Sequence, residues 1–435
     1  MNPPLIGIIG IVILVIIILS GLPIGFSMFI VGFIGFSYLV SLDAGLRLLS
    51  MEMLSTFSSY TLAVVTCFAL MGALAGYSGT SKRLYDFAYK FFGKYPGGLA
   101  IATMGACSLF GAICGSATAA TATFGKVALP EMKRHNYSDQ LATGCIACGG
   151  TLSILIPPSL IFIIYGVIAN KSIGELFIAG IGPGILLTIF LILQILFMCL
   201  KNPSLGPPGP ESNLKEKLRS LIGAIEAIGL FLIILGGIFA GIFTPTEGGA
   251  IGAVGMLVVG LVRRTLNWNG IINSVIDTAR LIGMIFMILA GAFVFGRFIT
   301  VTNLALTLSD LMVGLKWHPI ITFIVFILPI YIIAGCFIEM LAVILITVPL
   351  FLPIVEKFGF DPIWFGVQIV MLSQIGLLTP PVGMCAYTVK AVAPEFSLTL
   401  IFKGTIVFVP TIVICSIIVL FFPQIALWLP KLMMK

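Results

Sequence analysis

The length of the apolar runs constrains this chain more than any other feature. Crossing a hydrocarbon layer of ~30 Å takes about 20 consecutive apolar residues. Runs of that order recur at Leu5–Leu19, Leu22–Val40, Thr61–Tyr77, Ile173–Leu200, Ile222–Phe243 and Ser397–Phe422. Of the 435 residues, 60% are hydrophobic and 9% charged, against roughly 25% charged in a soluble domain. The sequence predicts an all-α polytopic membrane protein. The first run has no basic leader and no cleavage site after it, so it reads as a retained span and not a signal peptide. A net charge of +7 suggests an acidic partner, but the basic residues are scattered between apolar runs with no dense tract. They read as topology-setting charge. The nine cysteines lie mostly inside apolar segments. The Cys145/Cys148 pair has no second pair and no nearby histidine, so small packing residues are expected there rather than a metal site.

The clearest break is Lys201–Ser220, rich in Pro, Gly and charge, which reads as an exposed cytoplasmic linker between halves 1–200 and 221–435. The halves resemble each other. Ile156-Pro157-Pro158 recurs as Thr379-Pro380-Pro381, and at the same separation Pro130 falls on Pro353; Pro23 and Pro245 fall one residue short of it. Matches in one order at one separation imply duplication. Residues 99–130 and 320–353 are each too long for one span and are interrupted by small or polar residues, so they read as re-entrant hairpins. Segments 139–168 and 362–391 read as broken helices. That leaves about five crossings per half, an odd number, which turns the second half upside down as in the inverted-repeat plan of secondary transporters.

Positive charge fixes the orientation. With the N-terminus outside, the inward set includes Lys82, Arg83, Lys90, Lys94, Lys126, Lys133, Arg134, Lys201, Lys215, Lys217, Arg219, Arg263, Arg264 and Arg280. The outward set is sparse: Arg47, Lys171, Lys316, Lys357, Lys431 and Lys435. Both termini are then periplasmic. Ser81–Tyr95 has Leu84, Phe87, Ala88, Phe91 and Phe92 at helical spacing. It suits an amphipathic interfacial helix that either braces the fold or connects two spans.

Unpaired backbone is costly in a bilayer unless protein or a water-filled cavity satisfies it, and four segments break that rule. Gly115–Gly125 offers the hydroxyls of Ser116, Thr118, Thr121 and Thr123; Ala147–Pro158 pairs glycines with prolines; Ala334–Glu339 and Ser373–Gly383 stand in the second half. An unwound helix frees carbonyl oxygens for Na⁺ and exposes a half-helix N-terminus that attracts an anion. Any one such segment reads equally as close helix packing, as the pairs Gly72/Gly76 and Gly111/Gly115 do; four in two symmetric pairs favour a binding site. Intramembrane charge is the second signal. Glu339 lies inside the second hairpin, Glu247 begins a span, and Arg297, late in an apolar run, either attracts an anionic substrate or snorkels to the surface. No HExxH, GxSxG or Walker loop occurs, and the two histidines, His135 and His318, fall in expected loops. An enzyme is therefore not expected.

At these residues the sequence resembles the large membrane subunit of tripartite ATP-independent periplasmic (TRAP) transporters. The marks are GSATAATATFG at Gly115–Gly125, GGTLSILIPPS at Gly149–Ser159, FTPTEGGAIGA at Phe243–Ala253, LLTPPVGM at Leu377–Met384, and the second hairpin with Glu339 where the family more often has Asp. The resemblance implies an elevator mechanism coupled to Na⁺, a small membrane subunit of about four spans, and a soluble periplasmic binding protein that delivers a carboxylate or sulfonate. It further implies one Na⁺ site at Ser116, Gly149, Gly150 and Ser153, another at Gly335, Gly376 and Thr379, and substrate near Thr118, Thr121, Glu339 and Thr379. A stand-alone Na⁺- or H⁺-coupled anion transporter of related architecture is the alternative.

Overall fold

The computed structural model describes residues 2–433; Lys435 of the outward charge set lies outside the described residues. The first half contains α1 (Pro3–Leu19), α2 (Ile24–Leu39), α3 (Leu42–Phe57), α4 (Ala63–Tyr77), α5 (Thr80–Phe92), α6 (Gly98–Cys114), α7 (Ala117–Arg134), α8 (Asp139–Leu152), α9 (Leu160–Ala169) and α10 (Ile173–Lys201). The second contains α11 (Leu214–Phe239), α12 (Pro245–Val262), α13 (Trp268–Val301), α14 (Leu304–Gly314), α15 (Pro319–Thr322), α16 (Leu328–Phe337), α17 (Met340–Lys357), α18 (Pro362–Leu378), α19 (Met384–Val392), α20 (Leu398–Ile406), α21 (Val409–Phe421) and α22 (Gln424–Met433). A π-helical turn, Phe323–Ile327, joins α15 to α16. Among the described residues there is no strand, and eight helices are long and apolar enough to cross a membrane. The fold is that of a polytopic all-α membrane protein.

The halves match element by element. Thr151 and Gln374 are 223 residues apart, and that separation carries both ends of α7 onto those of α17, the end of α6 onto that of α16, the start of α8 onto that of α18, and the ends of α2 and α9 onto those of α12 and α19. Duplication is therefore written in helix boundaries as well as in prolines. The match fails in two places. The continuous α13, 34 residues long, stands where the first half has α3, a break at Ser58–Ser59 and α4. The continuous α10, 29 residues long, stands where the second half breaks between α20 and α21.

Two groups of helices emerge from the packing. In one, α2 lies along α13 and α4 along α12 and α13, with α1 and α11 outside them. In the other, α6 to α10 interleave with α17 to α22, so both halves build one body. Its centre is α8 and α18, buried from Leu141 to Leu152 and from Ile363 to Leu378. The helices α5 and α14 bridge the groups, α5 packing on α6 and α11, α14 on α17 and α1.

Close helix approach in an apolar solvent needs small residues, since lipid exclusion adds little drive. A Cβ on Gly404 of α20 would meet the Gln140 carbonyl, and one on Gly144 of α8 the Gly404 backbone, so glycines bring the backbones of these two helices into contact. The stretch read as a linker is shorter than expected: α11 begins inside it, leaving Asn202–Asn213. That remnant is pinned. Gly97 and Ser138 donate backbone bonds to Gly206 and Leu205, and Gly209 donates to Gly93. Tyr137 accepts from the Leu99 amide and donates to the Pro207 carbonyl at 3.0 Å. Lys94 reaches Glu211 at 3.0 Å and holds that carboxyl below its ordinary range.

Overpacking a glycine contact of this kind costs about 1–3 kcal/mol or more. Gly144→Val and Gly404→Val are expected to lose most folded, monodisperse protein by fluorescence-detected size exclusion. Gly229→Val and Gly236→Val, whose surroundings hold nothing within 4 Å, are expected to retain it.

Candidate functional site

The site begins where helices stop inside the protein. Each hairpin reverses in two residues: α6 ends at Cys114, Gly115 adopts φ +61°, and Ser116 caps α7 by accepting from the Ala119 amide at 3.4 Å. In the second hairpin α16 ends at Phe337, and Glu339 stands at the cap position of α17. The common separation makes Ser116 and Glu339 equivalent. Each tip therefore aims a helix N-terminus, with its unpaired amides, at the interior.

The broken helices meet these tips. In the second half proline chemistry dictates the break. An unbroken helix would bond the Gly376 and Leu377 carbonyls to the amides of residues 380 and 381, but Pro380 and Pro381 have none. The Leu378 carbonyl is taken by the Thr405 hydroxyl at 2.7 Å. In the first half Pro157 and Pro158 likewise withhold amides from Ser153 and Ile154, and the Ser159 hydroxyl takes the Ile154 carbonyl at 2.5 Å. The Ser153 amide turns to Gly150 at 3.2 Å, so the Gly149 carbonyl also lacks the amide an unbroken helix would supply. Carbonyl oxygens of this kind suit a hard cation.

Tip and break are held together in the same way in both halves. A Cβ on Gly111 would meet Ser153 Cα at 2.7 Å, and one on Gly376 would meet the Gly335 backbone. Ser153 and Gly376 are again equivalent positions. A backbone bond from Val382 to the Cys336 carbonyl at 3.1 Å ties the second tip to its break.

The expected residues divide as follows. Gly150 packs on the Ala117 carbonyl and on Thr121 Oγ1, Gly149 faces Cys107, and Ser153 faces Gly111. With Ser116 one residue from Ala117, the first group is brought together. Two buried hydroxyls here, Ser153 Oγ of that group and Thr121 Oγ1, expected at the substrate, have no hydrogen-bond partner among the described residues, though the Cys385 thiol lies beside Thr121. Orphaned buried oxygens at this spot fit a cation. Gly335, Gly376 and Thr379 also come together, but the Thr379 hydroxyl donates to the Ile375 carbonyl at 2.8 Å and lies 3.0 Å from Cys336 Sγ. Its side chain is already engaged.

Two cavities reach the tips. One, of 750 Å³, holds Ser116 and Thr118. One wall is Ala69, Gly72, Ala73 and Gly76 of α4; the other is Ala119, Ala122 and Thr123 of α7; Tyr77, Lys82, Lys126 and Asp277 close its far end. The second, of 560 Å³, sets Glu339 against the α1–α2 turn and Met284 and Met287 of α13. Thr121 lines neither cavity, being fully buried behind Thr118. Arg297 is not gathered here: its Nε donates to Glu52 of α3 at 2.9 Å and its side chain is 64% exposed. Glu247 closes a capping box with Thr244, accepting from its amide at 2.7 Å.

Sequence reasoning missed the pair at the centre of the body. Thr151 Oγ1 donates to the Cys148 carbonyl at 2.7 Å and lies 3.1 Å from the Gln374 amide oxygen, while Gln374 Nε2 has no partner. A hydroxyl has one proton, so turning the amide by 180° lets Nε2 donate to Thr151 while Thr151 donates to Cys148, and leaves Oε1 as the atom without a partner. The repeat separation, applied to polar residues as well as prolines, would have found it.

The profile of the family described as "Tripartite ATP-independent periplasmic transporter, DctM component" matches residues 11–425. The chain is 35% identical over 386 residues to the C4-dicarboxylate TRAP transporter large permease protein DctM of Pseudomonas aeruginosa, covering 88% of this chain and 90% of that protein. It is 33% identical over 420 residues to the sialic acid TRAP transporter large permease protein SiaM of Vibrio cholerae, covering 96% of each. Its fold is similar to that of the Alcanivorax borkumensis YdaH transporter in a crystal structure, with a TM-score of 0.59 and 16% identity over 88% of this chain and 89% of that one. A match across nearly the whole chain, hairpin tips and helix breaks included, places this protein in the DctM component family of tripartite ATP-independent periplasmic transporters.

Proposed function

We propose that this chain is the large permease subunit of a Na⁺-coupled, binding-protein-dependent transporter that takes up a small organic anion by an elevator motion. The observation that carries the reading is the pair of equivalent tip-and-break junctions, each with oxygens released from helix bonding. Ser116, Gly149, Gly150 and Ser153 would hold one Na⁺, and Gly335, Gly376 and Thr379 another, mostly through carbonyls. The burial of Thr121 beside Gly150 favours a role at the first cation, leaving Thr118, Glu339 and Thr379 for the substrate. Helix N-termini at both tips attract the anion, and bound Na⁺ offsets its charge in a low-dielectric setting.

The two helix groups supply the moving parts. The body built from both halves is the carriage, and α1 to α4 with α11 to α13 form the scaffold, joined by α5 and α14 as arms. The two repeats are inverted and both termini are periplasmic. In support of that two-sided topology, every salt bridge among the described residues pairs residues that it assigns to one side: Lys90–Glu216, Lys94–Glu211, Lys133–Glu395 and Arg263–Glu226 on one, Lys171–Glu356, Lys357–Asp310 and Arg297–Glu52 on the other, and the excess of Lys and Arg makes the first side cytoplasmic. The protein is a multi-pass component of the inner membrane. Its partners are a small four-span subunit and a periplasmic binding protein, which does most of the substrate selection. The relatives carrying C4-dicarboxylate and sialic acid in their names make carboxylates the first class to test, with sulfonates second.

Liposomes holding this chain and its small subunit are expected to take up labelled succinate, N-acetylneuraminate or isethionate only with both an inward Na⁺ gradient and the binding protein. Uptake driven by Na⁺ without the binding protein would identify a stand-alone carrier instead. Losing one oxygen ligand or hydrogen bond costs about 1–1.5 kcal/mol, or about tenfold. Ser153→Ala and Thr121→Val are therefore expected to raise the half-saturating Na⁺ concentration about tenfold. Arg297→Gln, which removes only the Glu52 partner, is expected to leave the substrate KM within about twofold on the same energetic scale.

A further inference from the structure

The large cavity at the first hairpin has an end that the transport site does not use. Its two walls carry small residues, and along α7 they run from Ser116 through Ala119 and Ala122 to Lys126, at spacings of three and four on one helix face. Ten residues of helix put Lys126 about 15 Å from the tip. On the opposite side α4 leads to Lys82, the third residue of α5. The small residues of α4 and α7 leave a slot that joins the tip to these two ammonium groups, with Phe110, Leu160 and Leu281 also in its lining.

Their state distinguishes them from their neighbours. Lys90, Lys94 and Lys133 are each bound to a carboxylate at 3.0 Å or less. Among the described residues, neither Lys82 nor Lys126 makes a salt bridge, a hydrogen bond or a cation–π contact, and both are exposed. The acid nearest in sequence to Lys82 is Asp86, one turn along α5. The acid that shares the cavity, Asp277, accepts a hydrogen bond from Tyr77 at 2.8 Å. Two ammonium groups without a direct partner therefore face one slot that holds a single carboxylate, Asp277, from opposite sides of the gap between the two helix groups.

We propose that Lys82 and Lys126 form a cytoplasmic-side station for the transported anion: a low-affinity site that draws it off the hairpin tip and holds it before release. Low-dielectric walls focus the field of both ammonium groups along the slot. Lys126 rides on the hairpin and Lys82 on the arm, so the pair comes together around the anion only while the cavity is open as it is here. The inference rests on the anion-uptake reading above.

The test uses the full complex in liposomes oriented with the cytoplasmic face inward. The lumen is preloaded with increasing unlabelled anion, using whichever of succinate, N-acetylneuraminate and isethionate the wild-type complex carries, and initial uptake of the labelled anion is followed. The concentration inside that halves uptake reports affinity at the cytoplasmic face. Lys82→Gln with Lys126→Gln is expected to raise it at least fivefold and to flatten its dependence on ionic strength, with the KM for external loading unchanged. Lys82→Arg with Lys126→Arg is expected to behave as wild type. Lys133→Gln, which breaks a bridged lysine outside the slot, controls for general surface charge. A double Gln variant that is folded by size exclusion and within twofold of wild type overturns the proposal, as does an equal shift in Lys133→Gln. If the wild-type complex carries none of the anions, it is the parent reading that fails.

Discussion

A carbonyl oxygen inside a bilayer must be bonded to something, and this structure is arranged around a few that are not bonded to their own helix. Pro157, Pro158, Pro380 and Pro381 withhold the amides that would complete α8 and α18. The released oxygens are tolerable only because α8 and α18 are deeply buried and because hairpin tips close over their ends. Small residues follow from the same need. Gly111 and Gly376 are small because a tip has to reach a broken backbone closely enough to shield it.

The duplication gives that arrangement its economy. One solution to the exposed-carbonyl problem is used twice, at a constant separation, and the two copies meet at Thr151 and Gln374. A hydrogen bond between equivalent residues marks where the two halves face each other. In a fully buried setting it fixes register as well as adding about 1 kcal/mol. The body that results is held by contacts between halves, α8 with α20 and α7 with α19, and so it moves or rests as one piece.

Much of this was legible in the sequence because the bilayer leaves few options. Apolar run length gave the spans, the Pro-Pro pairs gave the breaks, and GSATAATATFG gave the first tip. The all-α membrane fold and the family resemblance agree with the structure and the comparisons. Other features depended on three-dimensional partners that no local pattern announces. Arg297 reads as an intramembrane cation, yet it is spoken for by Glu52 on a helix far away in sequence. Thr121 and Thr118 look alike in a run of threonines, but helical phase turns one into the protein and the other toward the cavity. The linker reads as exposed from its Pro, Gly and charge content, and nothing in that content announces that Tyr137 and three backbone bonds fasten it to the hairpin base.

The mismatch between the halves has a consequence of its own. Two identical halves related by inversion would give a mirror-image pair of end positions with equal energies and no preferred resting place. Here one half has a single 34-residue rod where the other has a jointed pair of helices. On the elevator reading proposed above, bending stiffness would be distributed unevenly between the halves, and the two end positions would differ in energy before any ion or solute binds, by an amount set by the length of an uninterrupted helix.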